Sequence, residues 1–277
     1  MKSILITGAA GSIGSALARK LAGTCKLYVL DSNESGLFDL CQEIKSEPII
    51  CDIRDREAVN QAVDRIRPAI VYHVAAYKHV PLMEKHPMEA VKTNIGGTLN
   101  IAFASIKYKV KKFVLVSTDK AVEPTSVMGW TKLFGERICD VANFGPTKFV
   151  VVRFGNVMAS RGSVIPIWQK QIAKGEALTV TSKEMTRFFM GIYDAVELII
   201  KASNMAKGGE IFIFDMGDEI NVYDLAKLVL KLYGVNLPIK LIGTRIGEKK
   251  GEMLYNPQTH LLIGRGNKIY EVKEKRS

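Results

Sequence analysis

The segment Ser117-Thr118-Asp119-Lys120 puts an acid beside an amine directly after the apolar, β-branched run KKFVLV. In an open parallel sheet, ligands bind outside the carboxyl ends of the strands, so this tetrad stands at the edge where chemistry belongs. Lys132 follows on what reads as a helix, and one helical turn before it stands Met128. A tyrosine there would share a face with the lysine, whose charge lowers a phenol's pKa. Methionine transfers no proton, so either the chain is not a catalyst or another group does that work. Tyr77 and Lys78, after a further apolar run, are placed to line the same site.

A second constellation binds rather than reacts. Thr7-Gly8-Ala9-Ala10-Gly11-Ser12-Ile13-Gly14 lies between the first strand and the first helix. Glycines let the backbone turn tightly and approach a pyrophosphate, and the helix N-terminus offers free N–H groups to the phosphates. Asp31 ends the second strand, where a carboxylate holds the adenosine ribose. Asp52, at the end of the third strand, is placed to meet the adenine edge. Ile53, Ala75 and Ala76 complete the expected cofactor surface. Asp31 repels a 2′-phosphate and so favours NAD. NADP stays open, because a neighbouring Lys or Arg can accept that phosphate.

The elements that must position these groups alternate. The runs KSILIT, KLYVLD, SEPIICD, PAIVYHVAA and KKFVLVST read as strands, with helical patterns at 34–46, 55–65 and 88–108 between them. Continuous apolar strands separated by helices mean a parallel sheet covered on both faces. The expected fold is therefore α/β, a doubly wound Rossmann sheet with a smaller C-terminal substrate lobe. A long helix over SVMGWTKLFGERICDVANFG and the strand TKFVVVRFGN close the first part. The division is expected near 1–156 for the dinucleotide half and 157–277 for the lobe, interleaved with the Rossmann core.

Composition bounds the partners. The 277 residues are 47% apolar with a formal charge of +11, enough for one large core and an appended lobe. Basic clusters at Lys107–Lys112, at Lys249 and Lys250 and in the tail EVKEKRS read as solvated surface that attracts phosphate-bearing substrates. No recognition module accompanies them, so no nucleic-acid partner is expected. No apolar run reaches about 18 residues, so stable membrane insertion is not expected. The N-terminal run breaks into glycines and does not read as a signal peptide. Cys25, Cys41, Cys51 and Cys139 are scattered, and His79 and His86 lack ligand spacing. These features predict reduced thiols, a cytoplasmic setting and no metal site.

The segments AAYKHVPLMEKHP, VKTNIGGTLN, STDKAVEPTSVMGWTK, VRFGNVMASRGSVIP, MTRFFM and RIGEKKGEMLY together resemble, in the same order, the CapD-type polysaccharide-biosynthesis dehydratases. These are extended short-chain dehydrogenases/reductases acting on nucleoside-diphosphate sugars, and they include the inverting and retaining UDP-N-acetylglucosamine 4,6-dehydratases. The resemblance runs from Lys2 to about Tyr255. Members with a membrane-spanning N-terminal region often carry Met in place of Tyr, and this chain resembles their catalytic domain.

The resemblance implies a reaction. The sugar's 4-hydroxyl is oxidised by hydride transfer to NAD(P), water is lost across carbons 5 and 6, and the hydride returns to carbon 6. Asp119 would protonate the leaving 6-hydroxyl, and burial can keep a carboxyl protonated near neutral pH. Lys120 would take the carbon-5 proton, Lys132 would grip the nicotinamide ribose, and Thr118 would relay the 4-hydroxyl proton. Lys78 and Asn156 would contact the substrate, Asn156 at its diphosphate. Arg187 and Arg245 look like phosphate partners, Glu248 would accept from the uridine ribose, and Val164 and Pro166 would bracket the pyrimidine. The family's Arg-Pro-Gly-Glu-Lys reads Arg245-Ile246-Gly247-Glu248-Lys249 here. A homo-oligomer is expected from the fold family. The rival readings are a nucleotide-sugar 4-epimerase or reductase, and a catalytically silent sugar-nucleotide binder.

Overall fold

The computed structural model describes residues 2–158, 160–265 and 268–275. The last two residues of the basic tail, Arg276 and Ser277, and Ala159 in the VRFGNVMASRGSVIP segment lie outside them. Six parallel strands come first: β1 (Ser3–Thr7), β2 (Lys26–Asp31), β3 (Glu47–Ile50), β4 (Ile70–His73), β5 (Lys112–Thr118) and β6 (Lys148–Phe154). They run side by side in the order β6-β5-β4-β1-β2-β3. This is the doubly wound order, and its direction reverses between β1 and β4, which opens a crevice at the carboxyl ends.

The apolar runs that predict strands are continuous because both faces of the sheet are covered. Leu5 and Ile6 are both 0% exposed, and they belong to cores on opposite faces. Helices α1 (Ser12–Leu21) and α2 (Glu34–Glu43), with the helix Ile192–Met205, pack on one face. Helix α3 (Arg56–Ile66) and the helices Thr98–Lys107 and Val127–Ala142 pack on the other. A fully buried Leu, Ile or Val contributes about 1.5–3 kcal/mol, so these two layers hold the sheet rigid beneath the crevice.

The chain beyond 157 serves both parts of the molecule. The strand Ile211–Phe214 pairs in parallel with β6, and Ile269–Glu274 and His260–Gly264 follow antiparallel, which makes the main sheet nine-stranded among the described residues. The intervening residues form a small separate core around Trp168, Leu178, Val180 and Val222. The helical pattern expected over 88–108 is built in three pieces: Pro87–Ala90, a π-helical turn Val91–Gly97 and Thr98–Lys107. The buried Asn94 lies in that widened turn. Its Oδ1 accepts the Tyr77 N–H at 2.8 Å, and its Nδ2 donates to the Tyr77 carbonyl at 3.0 Å and the Thr131 hydroxyl at 2.9 Å. Such widened turns cluster at functional sites, and apolar periodicity does not reveal them.

Candidate active site

The glycine turn has the shape a diphosphate needs. Gly8 adopts φ of +69°, and a Cβ there would lie 2.6 Å from the Ala75 backbone. A Cβ on Gly14 would lie 2.1 Å from the Gly8 carbonyl oxygen, so α1 meets the turn only without one. Gly11 caps α1 without a side-chain acceptor and the first turn carries no acid. The amides of that turn, at Ser12, Ile13 and Gly14, therefore lack intrahelical acceptors and face an anion with the positive end of the helix.

Asp31 stands beside this turn, its Oδ2 accepting the Ala10 N–H and its Oδ1 the Asn33 N–H, both at 3.0 Å. Asp52 is engaged by Arg54, whose Nε lies 2.8 Å from Oδ2, and that guanidinium holds the Asp52 carboxyl below its ordinary range. An adenine edge would have to share Asp52 with Arg54. Ile53 is buried behind Gly97, Ala75 abuts Gly8, and Ala76 lines the crevice.

The crevice holds a cavity of about 380 Å³ that runs from Gly8, Gly11, Ser12 and Ile13 to the end of β5. Thr118, Lys120, Met128, Lys132 and Asn156 line it together. Asp119 stands one layer behind, at 0% exposure, and does not line the cavity. Its Oδ1 accepts from the Thr118 hydroxyl at 2.9 Å and from Lys120 Nζ at 2.9 Å. Lys120 also donates to Asn156 Oδ1 at 3.2 Å. Thr118 and Lys120 therefore stand between the acid and the open space. A Cβ on Gly155 would come within 3.0 Å of Asp119 Oδ2, so this glycine gives the carboxyl its room.

Lys132 is buried and donates to the Val116 carbonyl at 2.7 Å. Burial pulls its ammonium down to about 8, against the opposing pull of Glu136. Beneath it, the Ser117 hydroxyl and the Arg153 guanidinium converge on the buried Glu136 carboxylate, which fixes the end of β5 to the helix Val127–Ala142.

The expected substrate residues divide. Lys78 and Asn156 line the cavity. Lys78 donates to Ser160 Oγ at 3.3 Å, and burial, with Arg161 nearby, pulls its ammonium down. Val164 and Pro166 begin the helix Val164–Ala173, directly after Ser163 on the cavity wall. Arg187 is buried and donates to the carbonyls of Thr186, Lys249 and Lys250, so its fork braces backbone. Arg245 is exposed, and its N–H donates to Glu248 Oε2 at 3.1 Å, so these two close their own turn outside the cavity wall.

Sequence reading missed four residues of this neighbourhood. Arg161 lines the cavity, and its N–H donates to Ser12 Oγ at 2.9 Å, which ties residues 160–163 to the start of α1. His79 also lines the cavity and packs under Gly162. Asn94 pins Tyr77, and Glu252 approaches Lys120 from behind. Arg161 lies inside the quoted SRGS segment, where its neighbour Gly162 was a usable signal. The other three also lie inside motif segments, His79 in AAYKHVPLMEKHP, Asn94 in VKTNIGGTLN and Glu252 in RIGEKKGEMLY, but periodicity and spacing assign them no role. Among the described residues no cluster of His, Cys, Asp and Glu is arranged to hold a metal ion, and no helix is long and apolar enough to cross a membrane.

A known family matches this chain over residues 4–274, described as polysaccharide biosynthesis protein. The capsular polysaccharide biosynthesis protein CapD of Staphylococcus aureus is 43% identical over 92% of this chain and 45% of its own length. The probable polysaccharide biosynthesis protein EpsC of Bacillus subtilis is 45% identical over 92% of the chain and 45% of its own. The chain thus spans about half the length of these two relatives. A protein named UDP-glucose 4-epimerase from Rickettsia prowazekii is 36% identical over 93% of the chain and 78% of its own length. Among solved structures, Pen from Bacillus thuringiensis superposes with a TM-score of 0.91 at 38% identity, covering 99% of this chain and 88% of Pen. The UDP-glucose 4-epimerase of Thermotoga maritima, determined with UDP-glucose, has a TM-score of 0.82 at 26% identity, covering 92% of this chain and 90% of that one. The Thermus thermophilus UDP-glucose 4-epimerase, determined with NAD, shares the fold at 24% identity and a TM-score of 0.82, covering 92% and 90%. The chain belongs to the polysaccharide biosynthesis protein family and has the Rossmann fold of the extended short-chain dehydrogenases/reductases.

Proposed function

We propose that this chain is an NAD-dependent nucleoside-diphosphate-sugar 4,6-dehydratase acting on UDP-N-acetylglucosamine. The observation that carries the reading is the Thr118–Asp119–Lys120 cluster: a hydroxyl and an amine on the cavity wall, both bonded to one buried carboxyl. The cofactor fits residues that are present. Any Cβ would fill the Gly8 cradle, α1 aims its N-terminus there, and Asp31 is placed for a ribose. When bound, NAD supplies reversible hydride acceptance at carbon 4 and donation at carbon 6. Lys132, on the same wall, holds the nicotinamide ribose.

The protons balance within the chain's own groups. The 4-hydroxyl proton passes through the Thr118 hydroxyl to Asp119, doing the work for which Met128 is unfit. Lys120, as the neutral amine, takes the carbon-5 proton. Asp119 returns its proton through Thr118 to the departing 6-hydroxyl, which leaves as water. Lys120 then gives its proton back at carbon 5. The diphosphate lies between Asn156, Lys78 and Arg161. Arg245 and Glu248 serve the uridine from the rim, Arg187 serves by holding the backbone beside them, and Val164 and Pro166 flank the base.

The second reading is a 4-epimerase, favoured by the name of the Rickettsia relatives. Epimerisation at carbon 4 needs no carbon-5 base, and Lys120 argues against it. Incubation with UDP-N-acetylglucosamine and mass spectrometry separates the two. Loss of one water supports dehydration; an isomer of unchanged mass refutes it and supports epimerisation; binding without turnover refutes both. In Lys120→Ala, deuterium wash-in at carbon 5 stops while substrate binding persists.

A further inference from the structure

Glu252 is a buried carboxylate that the mechanism above does not use. It is 6% exposed, and it enters from the 242–257 segment. Its Oε1 lies 3.7 Å from Lys120 Nζ and its Oε2 lies 3.7 Å from Lys249 Nζ. Among the described residues Oε2 has no hydrogen-bond partner, and neither has Asp119 Oδ2 across the ammonium. Two buried carboxyls thus flank one lysine, which already donates to Asp119 and Asn156. Lys120 and Asp119 face Glu252 from the end of β5, Arg187 and Lys249 from its own side, and its N–H donates to Glu219 Oε1 at 3.3 Å. Burial pushes the Glu252 carboxyl up; Lys120 pulls it down, Asp119 pushes it further up, and Arg187 and Lys249 pull it down.

The segment carrying Glu252 is a strap laid across the Rossmann half. Lys249 Nζ donates to the Val122 carbonyl at 2.7 Å, Thr125 Oγ1 donates to the Gly247 carbonyl at 3.2 Å, and Arg153 reaches the Leu254 carbonyl at 3.4 Å. A Cβ on Gly247 would sit 2.7 Å from Ser126 Cβ, so the strap lies flat on the start of the helix Val127–Ala142. The same strap carries Arg245 and Glu248.

We propose that Glu252 is a positioning residue: the strap proposed to bear the uridine contacts also brings a buried carboxylate against the rear of the Lys120 amine. An ammonium offers three donors and an amine two. With Asp119 and Asn156 taking the two, the lone pair is left for the cavity, and Glu252, at 3.7 Å and without a hydrogen bond to the amine, acts on it through its charge alone. A carboxylate within about 4–6 Å of an amine favours its charged form, and the pair is coupled from the Glu252 side, where Lys120 pulls the carboxyl down. What Lys120 then does rests on the dehydratase reading; where it is seated does not.

The test is competitive acetylation of Lys120 in the holoenzyme across pH, read by peptide mass spectrometry, beside the water-loss assay. In Glu252→Gln the pH at which Lys120 turns reactive falls by about one pH unit. Glu252→Asp keeps the charge but withdraws it by one methylene, and it moves that pH less in the same direction. If either variant, folded by circular dichroism, leaves that pH unmoved, the proposal is overturned. In the water-loss assay, the pH profile of kcat in Glu252→Gln moves to lower pH with the labelling, with KM within about twofold. A fall confined to KM overturns the proposal. If the wild-type protein loses no water while the labelling pH still moves, the dehydratase reading fails and the positioning role stands.

Discussion

Replacing Lys132 by methionine separates the electrostatic cost of this lysine from its chemistry. Burial holds its ammonium at about 8, against an ordinary 10.5. That difference is worth roughly 3 kcal/mol, because one pH unit corresponds to about 1.4 kcal/mol. The sign follows from proton counts. Below about 8 both the folded and the unfolded chain carry the proton, so the full cost of a buried charge bears on the fold. Between about 8 and 10.5 only the unfolded chain carries it, so stability rises with pH through this window and is lost again as pH falls to about 8.

Methionine fills a similar volume and carries no charge, but it orphans the Val116 carbonyl that Lys132 contacts at 2.7 Å, a cost of about 1–3 kcal/mol. At pH 7 the variant is therefore between equal to the wild type and about 2 kcal/mol more stable, and it is inactive. At pH 10 the advantage has become a deficit, because the wild-type protein has shed most of its roughly 3 kcal/mol cost. Urea unfolding of both apo proteins at pH 7, 8.5 and 10 reads this directly. The stability gap between them must close and invert by roughly 3 kcal/mol. A gap that stays constant across pH refutes the argument, because the hydrogen-bond loss alone does not depend on pH.

Other expectations follow from the same geometry. His73 is buried between the Thr7 and Thr98 hydroxyls and is pulled down to about 3 by burial, with Lys132 adding to it. The unfolded chain alone takes up this proton below its ordinary 6.5, so His73 lowers stability by about 1.4 kcal/mol per pH unit as pH falls from 6.5 toward 3. His73→Asn should flatten that slope in acid titrations followed by circular dichroism. Gly8→Ala drives a Cβ to 2.6 Å from the Ala75 backbone at a positive φ, and isothermal titration should show NAD binding weakened at least tenfold, or about 1.4 kcal/mol. Glu136→Ala strands the Arg153 guanidinium and the Ser117 hydroxyl. Chemical denaturation should show a loss of about 3–5 kcal/mol, whereas replacing Glu136 and Arg153 together by apolar residues should cost less.

The sequence alone carries the architecture, the glycine turn and the tetrad at the end of β5, because each is a local fact. An apolar run covered on both faces, a glycine-rich turn and an acid next to an amine are all legible within a few residues. The resemblance to a known family was legible for the same reason, as short motifs in order. Tertiary structure decided what those groups face. Only packing puts Asp119 behind Thr118 and Lys120, spends the Arg187 fork on the carbonyls of 186, 249 and 250, and gives the Arg161 amide to Ser12 across 149 positions of chain. Glu252 and Lys120 meet because a strap from the far end of the sequence, tied at Lys249 to Val122 over a separation of 127, crosses the Rossmann half. Neither periodicity nor spacing encodes that contact. Burial makes it matter, since a carboxylate withdrawn from water feels a neighbouring amine far more strongly than it does in solvent.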